Sequence, residues 1–380
     1  TSVLTIPTRL RARKPLTRAT VTRRTRTMGL FAVETNIQVN DSDHTVVQAA
    51  FDRIRKAARC SDEDPRLTAV SDWLNRVLEY NVPHGKRWRC LQVIQAFETL
   101  SPKPVSTEEL EQAALLGWIV EIFQALYLIV DDIMDKSTTR RGRSCWYLVD
   151  EVGTMAINDA FLLETIIFRV LNRTFRNHPN YIEIIELLHE THYQTSRGQC
   201  LDILSERTQT FSEERYTSIV VYKTAYYTFV LPIRLGMYLA NISDAHLHLK
   251  AEQLAIKIGT IFQAQDDFLD CYGNSNKMGK IGTDIVDAKC SWLLVKALQI
   301  ASPEQREQIK NNIGRGKPGG QEEAAVKAIY DELNMKTVFH EHEQAAFEEI
   351  SKDIAKLEAT KELSTDIFKL TVNKIYKRQS

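Results

Sequence analysis

Phe123-Gln-Ala-Leu-Tyr-Leu-Ile-Val-Asp131-Asp132-Ile-Met-Asp135-Lys-Ser-Thr-Thr-Arg140-Arg141-Gly142 decides how this chain is read. An almost wholly apolar run ends in three carboxylates, and two arginines follow. If the run is helical, Asp131 and Asp135 lie one turn apart on one face, about 6 Å along the axis. Two carboxylates at that spacing repel by about 2–3 kcal/mol at an effective dielectric of ~20. Asp132 adds a third charge of the same sign. A helix end that only supports the fold gains nothing from this arrangement. A divalent cation turns the repulsion into ligation. Magnesium suits it, because it takes hard oxygen ligands and bridges one or two carboxylates to substrate phosphates.

Residues 261–270 repeat the pattern, Ile261-Phe-Gln263-Ala-Gln265-Asp266-Asp267-Phe-Leu-Asp270. One such motif is more often a solvated helix face. Two copies, each ending an apolar helical run, point to a shared metal-binding purpose.

The chain has 380 residues, 43% hydrophobic and 26% charged, which fits a globular protein of one large or two ordinary domains. Lys+Arg equals Asp+Glu at 49 each, so no global nucleic-acid footprint is expected. Only 15 glycines and 10 prolines favour helices over turn-rich β structure. Six cysteines are scattered without a CxxC pair, the pattern of reduced thiols rather than a disulfide frame or zinc site. No charge-free apolar run reaches the length of a membrane span, since the longest, Ala113–Val130, contains Glu121. Residues 1–30 hold eight Arg and Lys, many threonines and no acid. That composition is expected of a mitochondrial targeting leader, with a basic disordered tail on a cytoplasmic protein as the alternative. The domain division expected is a leader over residues 1–40 and an all-α catalytic domain over residues 41–380.

Between these landmarks the chain reads as helices. Asn81-Val-Pro83-His84-Gly85-Lys86-Arg87-Trp88-Arg89 puts three cations at a helix start, where the helix dipole is already positive. A bound anion, phosphate above all, would resolve that conflict. Arg140 and Arg141 are placed to fork onto anions held by the metals. Gln199 and Asp202 share a helix face. Lys223, inside the aromatic segment Tyr222-Lys223-Thr224-Ala-Tyr226-Tyr227, needs an anionic partner if buried. Pro232 is expected to kink or end that helix. His246 and His248 read as surface residues. Gly273 to Asp284, with Lys277 and Lys280, reads as a loop able to close over phosphates. Residues 321–335 and 337–360 read as amphipathic, solvent-facing helices. The basic end at Arg378 either frays or folds back as a lid. No strand alternation, nucleotide fingerprint or nucleophile elbow is present, so the fold expected is all-α, with metal sites between helices.

From about Val46 to Arg378 the chain resembles the eukaryotic farnesyl diphosphate synthases of the trans-prenyltransferase, or isoprenoid synthase, family. Asp131-Asp132-Ile-Met-Asp135 with Arg140-Arg141-Gly142 is similar to that family's first aspartate-rich motif. Gln265-Asp266-Asp267-Phe-Leu-Asp270 with Gly279-Lys280-Ile-Gly-Thr-Asp284 is similar to the second. Gly198-Gln199-x-x-Asp202 and Tyr222-Lys223-Thr224 match further landmarks. The resemblance implies a single large helical domain around a deep apolar cavity. It implies a homodimer that condenses isopentenyl diphosphate with dimethylallyl and then geranyl diphosphate to a C15 product. It implies three magnesium ions, with manganese as a substitute, bridging Asp131, Asp135 and Asp266 to the allylic diphosphate, with Asp132, Asp267 and Asp270 beside them. Arg140, Lys223 and Lys280 would grip that diphosphate, and Lys289 would assist at the second motif. Lys86, Arg89, Gln124, Arg141 and Arg378 would hold isopentenyl diphosphate. Gln263, with Lys223 and Thr224, would face the carbocation. Leu126 and Tyr127, five and four residues before Asp131, would set product length, and leucine at 126 leaves room for a longer or branched product. The competing readings are geranylgeranyl or geranyl diphosphate synthesis and a non-catalytic prenyltransferase subunit.

Overall fold

The structure is a computed structural model that describes residues 41–60, 62–273 and 282–376, with side chains from residue 45 onward. All of these belong to one compact unit, Thr35–Ser380. The expected leader, together with Lys277, Lys280 and Arg378, lies outside the described residues.

The fold is all-α, as expected, and is organised on α4, Thr107–Met134. A capping box between Ser106 and Glu109 starts this helix, satisfying two otherwise unpaired backbone donors. Around it pack α1 (Asp41–Ala58), α3 (Trp88–Leu100) and α5 (Met155–Phe175), with α2 (Thr68–Asn81) bridging α1 and α5. Helix α4 is long and apolar enough to cross a membrane, yet 78% of its most apolar window is buried inside the fold. Its lone mid-helix charge explains part of its role. Glu121 is 3% exposed and accepts hydrogen bonds from the backbone N–H groups of Arg89 (3.0 Å) and Cys90 (3.1 Å). The start of α3 is thus capped by a protein carboxylate. Gly117, one turn earlier, lets α3 come this close, since a Cβ there would sit 2.8 Å from Cys90 backbone atoms.

A two-residue hairpin, β1 (Thr139–Arg140) and β2 (Arg143–Ser144), follows α4 and carries the two arginines. Then come α6 (Tyr181–Thr208), the short α7 (Glu213–Ile219), a π-helical stretch over Val220–Val230, α8 (Leu231–Leu239) and α9 (Ala245–Tyr272). Pro232 does not end the helical run. It is the second residue of α8, where a missing N–H costs little, and the preceding turns widen to π geometry instead. His248, expected at the surface, is 3% exposed, with Nε2 2.8 Å from the Ile242 carbonyl and Arg234 Nε donating to Nδ1 at 3.1 Å.

The last elements are α10 (Trp292–Ile300), α11 (Pro303–Asn312), α12 (Gln321–Glu332), α13 (Met335–Thr360) and α14 (Asp366–Tyr376). Helices α12 and α13 are not simply solvent-facing, since each buries a stripe that includes Val326, Ile329 and Tyr330 or Phe339, Phe347 and Ile350. On α14, Lys374 donates to Gln95 Oε1 at 2.7 Å and lies 5.1 Å from the Trp88 ring centroid. Among the described residues no carboxylate pairs with it, and burial pulls it from the ordinary 10.5 down to about 8. The unfolded chain therefore keeps this proton to higher pH than the folded one, and the penalty of burying the charge is relieved as pH rises from about 8 to 10.5. Wild type is expected to gain up to about 3 kcal/mol relative to Lys374→Met between pH 7 and 10.5. Denaturant unfolding of both proteins across that range measures it, and a constant difference would refute it.

Candidate active site

The two aspartate motifs end up facing one another. Asp131 and Asp135 project from the C-terminal end of α4, and Asp266 and Asp270 project from the last turns of α9. All four line one cavity of about 520 Å³. The i, i+4 spacing predicts this pairing within each motif. The middle aspartate of the first motif is turned aside, as a 100° step along a helix allows, whereas Asp267 of the second stays on the cavity wall. Asp132, 3% exposed, is not among the lining residues and accepts from Arg140 Nε at 3.0 Å and Nη2 at 2.5 Å. Asp267 accepts from Gln263 Nε2 (2.8 Å) and from the Trp292 backbone N–H (2.7 Å), so it fixes the start of α10. Burial pushes the Asp267 carboxyl up to about 7. Asp132 therefore serves here as a support for Arg140, whereas Asp267 lines the cavity while also bonding Gln263 and Trp292.

Three cations reach the same space. Lys223 Nζ donates to Asp202 Oδ2 at 2.6 Å and to Asp131 Oδ1 at 3.3 Å. Lys289 Nζ donates to Asp135 Oδ1 at 2.9 Å and to Glu206 Oε2 at 3.3 Å, and lies 3.7 Å from Asp202 Oδ2. Arg140 Nη2 donates to Asp131 Oδ2 at 3.4 Å. Gln199 Nε2 completes the set by donating to Asp131 Oδ1 at 2.9 Å. Burial would raise Asp131, but Lys223 and Arg140 outweigh it and hold the carboxyl down at about 2. Asp135 is raised, by burial and then by the Asp131 charge. Burial works against Lys223 and Lys289, yet the surrounding carboxylates hold both above the ordinary lysine value. This electrostatic frame keeps Asp131 ionised and both lysines protonated beside the cavity.

The π-helical stretch sets the wall opposite α4. Thr224 Oγ1 donates to Gln263 Oε1 at 2.9 Å, which joins the wall through Gln263 to Asp267. Arg89 Nη2 donates to Thr228 Oγ1 (2.8 Å) and Tyr227 Oη (3.2 Å), with its guanidinium 4.6 Å from the Tyr227 ring centroid. Arg141 Nη2 donates to Gln124 Oε1 at 3.3 Å, and burial and the nearby Arg89 charge lower its proton affinity. Arg89 and Gln124 line the same cavity, while Arg141, bonded to Gln124, does not line it. Lys86 is exposed and is not among the lining residues.

Tyr127 lines the cavity one turn below Asp131, and Leu126 does not. Leu126 points into the core, since the two residues diverge by about 100° around the helix. Leu128, on the other side of Tyr127, takes the place on the wall that was expected of Leu126.

Among the described residues no group of three or more His, Cys, Asp or Glu converges on one point. The donor set nonetheless fits a hard divalent cation that is shared with substrate. Each motif offers a pair of carboxylates, and the two pairs face across a cavity large enough to admit phosphate oxygens as the remaining ligands.

Residues 71–333 match the polyprenyl synthetase family model. The chain belongs to the polyprenyl synthetase family. It is 43% identical over 315 residues to farnesyl pyrophosphate synthase of Saccharomyces cerevisiae, covering 81% of this chain and 89% of that protein. It is 44% identical over 328 residues to farnesyl pyrophosphate synthase of Bos taurus, covering 84% and 92%. The structure is similar to T. brucei farnesyl diphosphate synthase complexed with minodronate, with a TM-score of 0.80 and 30% identity over 88% of this chain and 98% of that one. As a polyprenyl synthetase, the chain has the all-α isoprenoid synthase fold expected from the resemblance.

Some partners in this family member's site were not singled out from the sequence. Glu206 on Lys289, Tyr227 under Arg89, and Glu121 at the start of α3 each act across elements distant in sequence. Only Glu121 left a signal, as the single charge in an apolar helix.

Proposed function

We propose that this chain is a farnesyl diphosphate synthase, which condenses isopentenyl diphosphate with dimethylallyl and then geranyl diphosphate and releases pyrophosphate. The observation that carries this reading is the meeting of two aspartate pairs and of Lys223, Lys289 and Arg140 around one cavity. Its relatives bear the same activity in their names.

Asp131, Asp135, Asp266 and Asp270 would hold the divalent ions, magnesium by preference and manganese as a substitute. Bound there, the metal supplies Lewis-acid charge that stabilises pyrophosphate as it departs. Lys223, Arg140 and Lys289 bind the allylic diphosphate and stay positive as its C–O bond breaks heterolytically. Gln263, with the backbone of Lys223 and Thr224, faces the allylic cation. Arg89, Arg141 and Gln124 orient isopentenyl diphosphate so that its double bond attacks that cation and forms the new C–C bond. The apolar wall excludes water, which would otherwise trap the cation. The proton then lost from the condensed chain passes to the departing pyrophosphate, since among the described residues no histidine lines the cavity.

The test is product analysis with magnesium, labelled isopentenyl diphosphate and either allylic partner. A C15 alcohol after phosphatase treatment is expected, and chelation of divalent ions is expected to reduce turnover by about 10³-fold or more. Binding without any product would overturn the catalytic reading.

Two further proposals accompany this one. The Arg-rich residues 1–40 direct mitochondrial import, which a fusion of those residues to a fluorescent protein would test. The chain forms a homodimer, a reading supported by the exposed Ile157, Phe161, Ile182 and Tyr193 on α5 and α6. Light scattering should then find twice 43.6 kDa.

A further inference from the structure

Along α4 the cavity face runs from Asp135 through Asp131 to Tyr127, one turn apart each. Phe123, the next turn down, does not line the cavity, because the Tyr127 ring covers it at a centroid distance of 5.2 Å. The cavity therefore ends at this ring. The ring is tied in place. Tyr127 Oη donates to the His192 carbonyl at 2.9 Å, lies 2.8 Å from Ser196 Oγ and lies 3.2 Å from His192 Nδ1. His192 Nε2 in turn lies 3.3 Å from Glu164 Oε1. One turn up, Gln199 and Asp131 make the other cross-link between α6 and α4. The two helices are thus tied by two rungs, one at the diphosphate end and one at the closed end.

We propose that Ser196 and His192 determine product length, acting as positioning residues that hold the Tyr127 ring across the closed end of the cavity. This inference rests on the chain-elongation reading above. Aromatic size alone does not stop a growing chain when the ring is free to change rotamer. A ring whose hydroxyl is held at two partners on the neighbouring helix keeps one position. On α4 the residues flanking Tyr127 are Leu126, buried in the core, and Leu128, so neither sequence neighbour is aromatic and the hydroxyl rung adds to the support of the ring.

Tyr127→Phe keeps the ring and removes the rung, and Ser196→Ala removes one partner and leaves the ring untouched. The readouts are the ratio of Kd values for C20 and C15 diphosphate analogues, and the lengths of the products. Tyr127→Phe is expected to shift the Kd ratio toward C20 by about tenfold and to release C20 product, with a smaller shift in Ser196→Ala. The kcat for the first condensation in Ser196→Ala should stay within about twofold, because Ser196 does not itself line the cavity. Unchanged Kd ratios in both variants would overturn the proposal. Analogue discrimination that shifts as expected in a chain with no turnover would instead overturn the reaction and leave the rung standing. If Tyr127→Phe does not fold, Ser196→Ala decides alone.

Discussion

Asp131→Ala is expected to lower turnover by at least about 10²-fold, the equivalent of about 3 kcal/mol or more of lost transition-state stabilisation. The two oxygens of Asp131 meet Gln199, Lys223 and Arg140, and it is held ionised at about 2 by the two cations against the effect of burial. Removing it takes away one of the two carboxylates that the first motif presents to the cavity and leaves Lys223 with Asp202 as its ion-pair partner. Asp131→Asn separates charge from shape, because the amide can still accept from Gln199, and it should be nearly as inactive as the alanine variant. Asp132→Ala provides the contrast. Its carboxylate holds Arg140 from the side away from the cavity, so its loss should raise KM for the allylic substrate more than it lowers kcat. Equal kcat losses for Asp131→Ala and Asp132→Ala would show that the middle aspartate reaches the chemistry as well. Near wild-type turnover in Asp131→Ala would remove the metal assignment.

The helical period carries much of this site in the sequence. Spacing alone puts Asp131 with Asp135 and Asp266 with Asp270, and two copies of the motif on apolar helices imply that they face each other. The same period turns Asp132 away from the cavity, and Leu126 from Tyr127, while Asp267 keeps a place on the wall. Other features have no local signature. Asp202 takes both Lys223 and Lys289, partners 21 and 87 residues further along, and only packing chooses them. The π-helical stretch over Val220–Val230 carries ordinary apolar and aromatic residues, and Pro232 read as a break rather than as the first turn of the next helix. Glu121 read as a charge that interrupts a membrane-length run, whereas its partners are backbone donors 31 and 32 residues away.

Gly198→Ala is expected to cost about 3 kcal/mol of stability, at the upper end of what overpacking a close contact costs, and to lower turnover by about 10²-fold. In the middle of a helix an alanine ordinarily stabilises by about 1 kcal/mol over glycine. Here a Cβ would lie 2.1 Å from the Lys223 backbone nitrogen and 2.5 Å from the Tyr222 carbonyl carbon. Every atom it meets is backbone, so no side chain can rotate out of its way. Helix α6 and the π-helical stretch must move apart instead, and the displacement falls on the residue that binds Asp131 and Asp202. Lys223 sits 2.6 Å from Asp202, which is itself on α6 one turn beyond Gly198, so the pair would be pulled apart at its closest point. Gly142→Ala is the control. Its φ of +74° also disfavours a side chain, but no atom lies within 4 Å of a Cβ there, so it should lose only about 1 kcal/mol of backbone strain. Denaturant midpoints and turnover for the two variants separate close approach from backbone conformation. Equal losses for Gly198→Ala and Gly142→Ala would mean that the α6 contact with Lys223 does not set the geometry of the site.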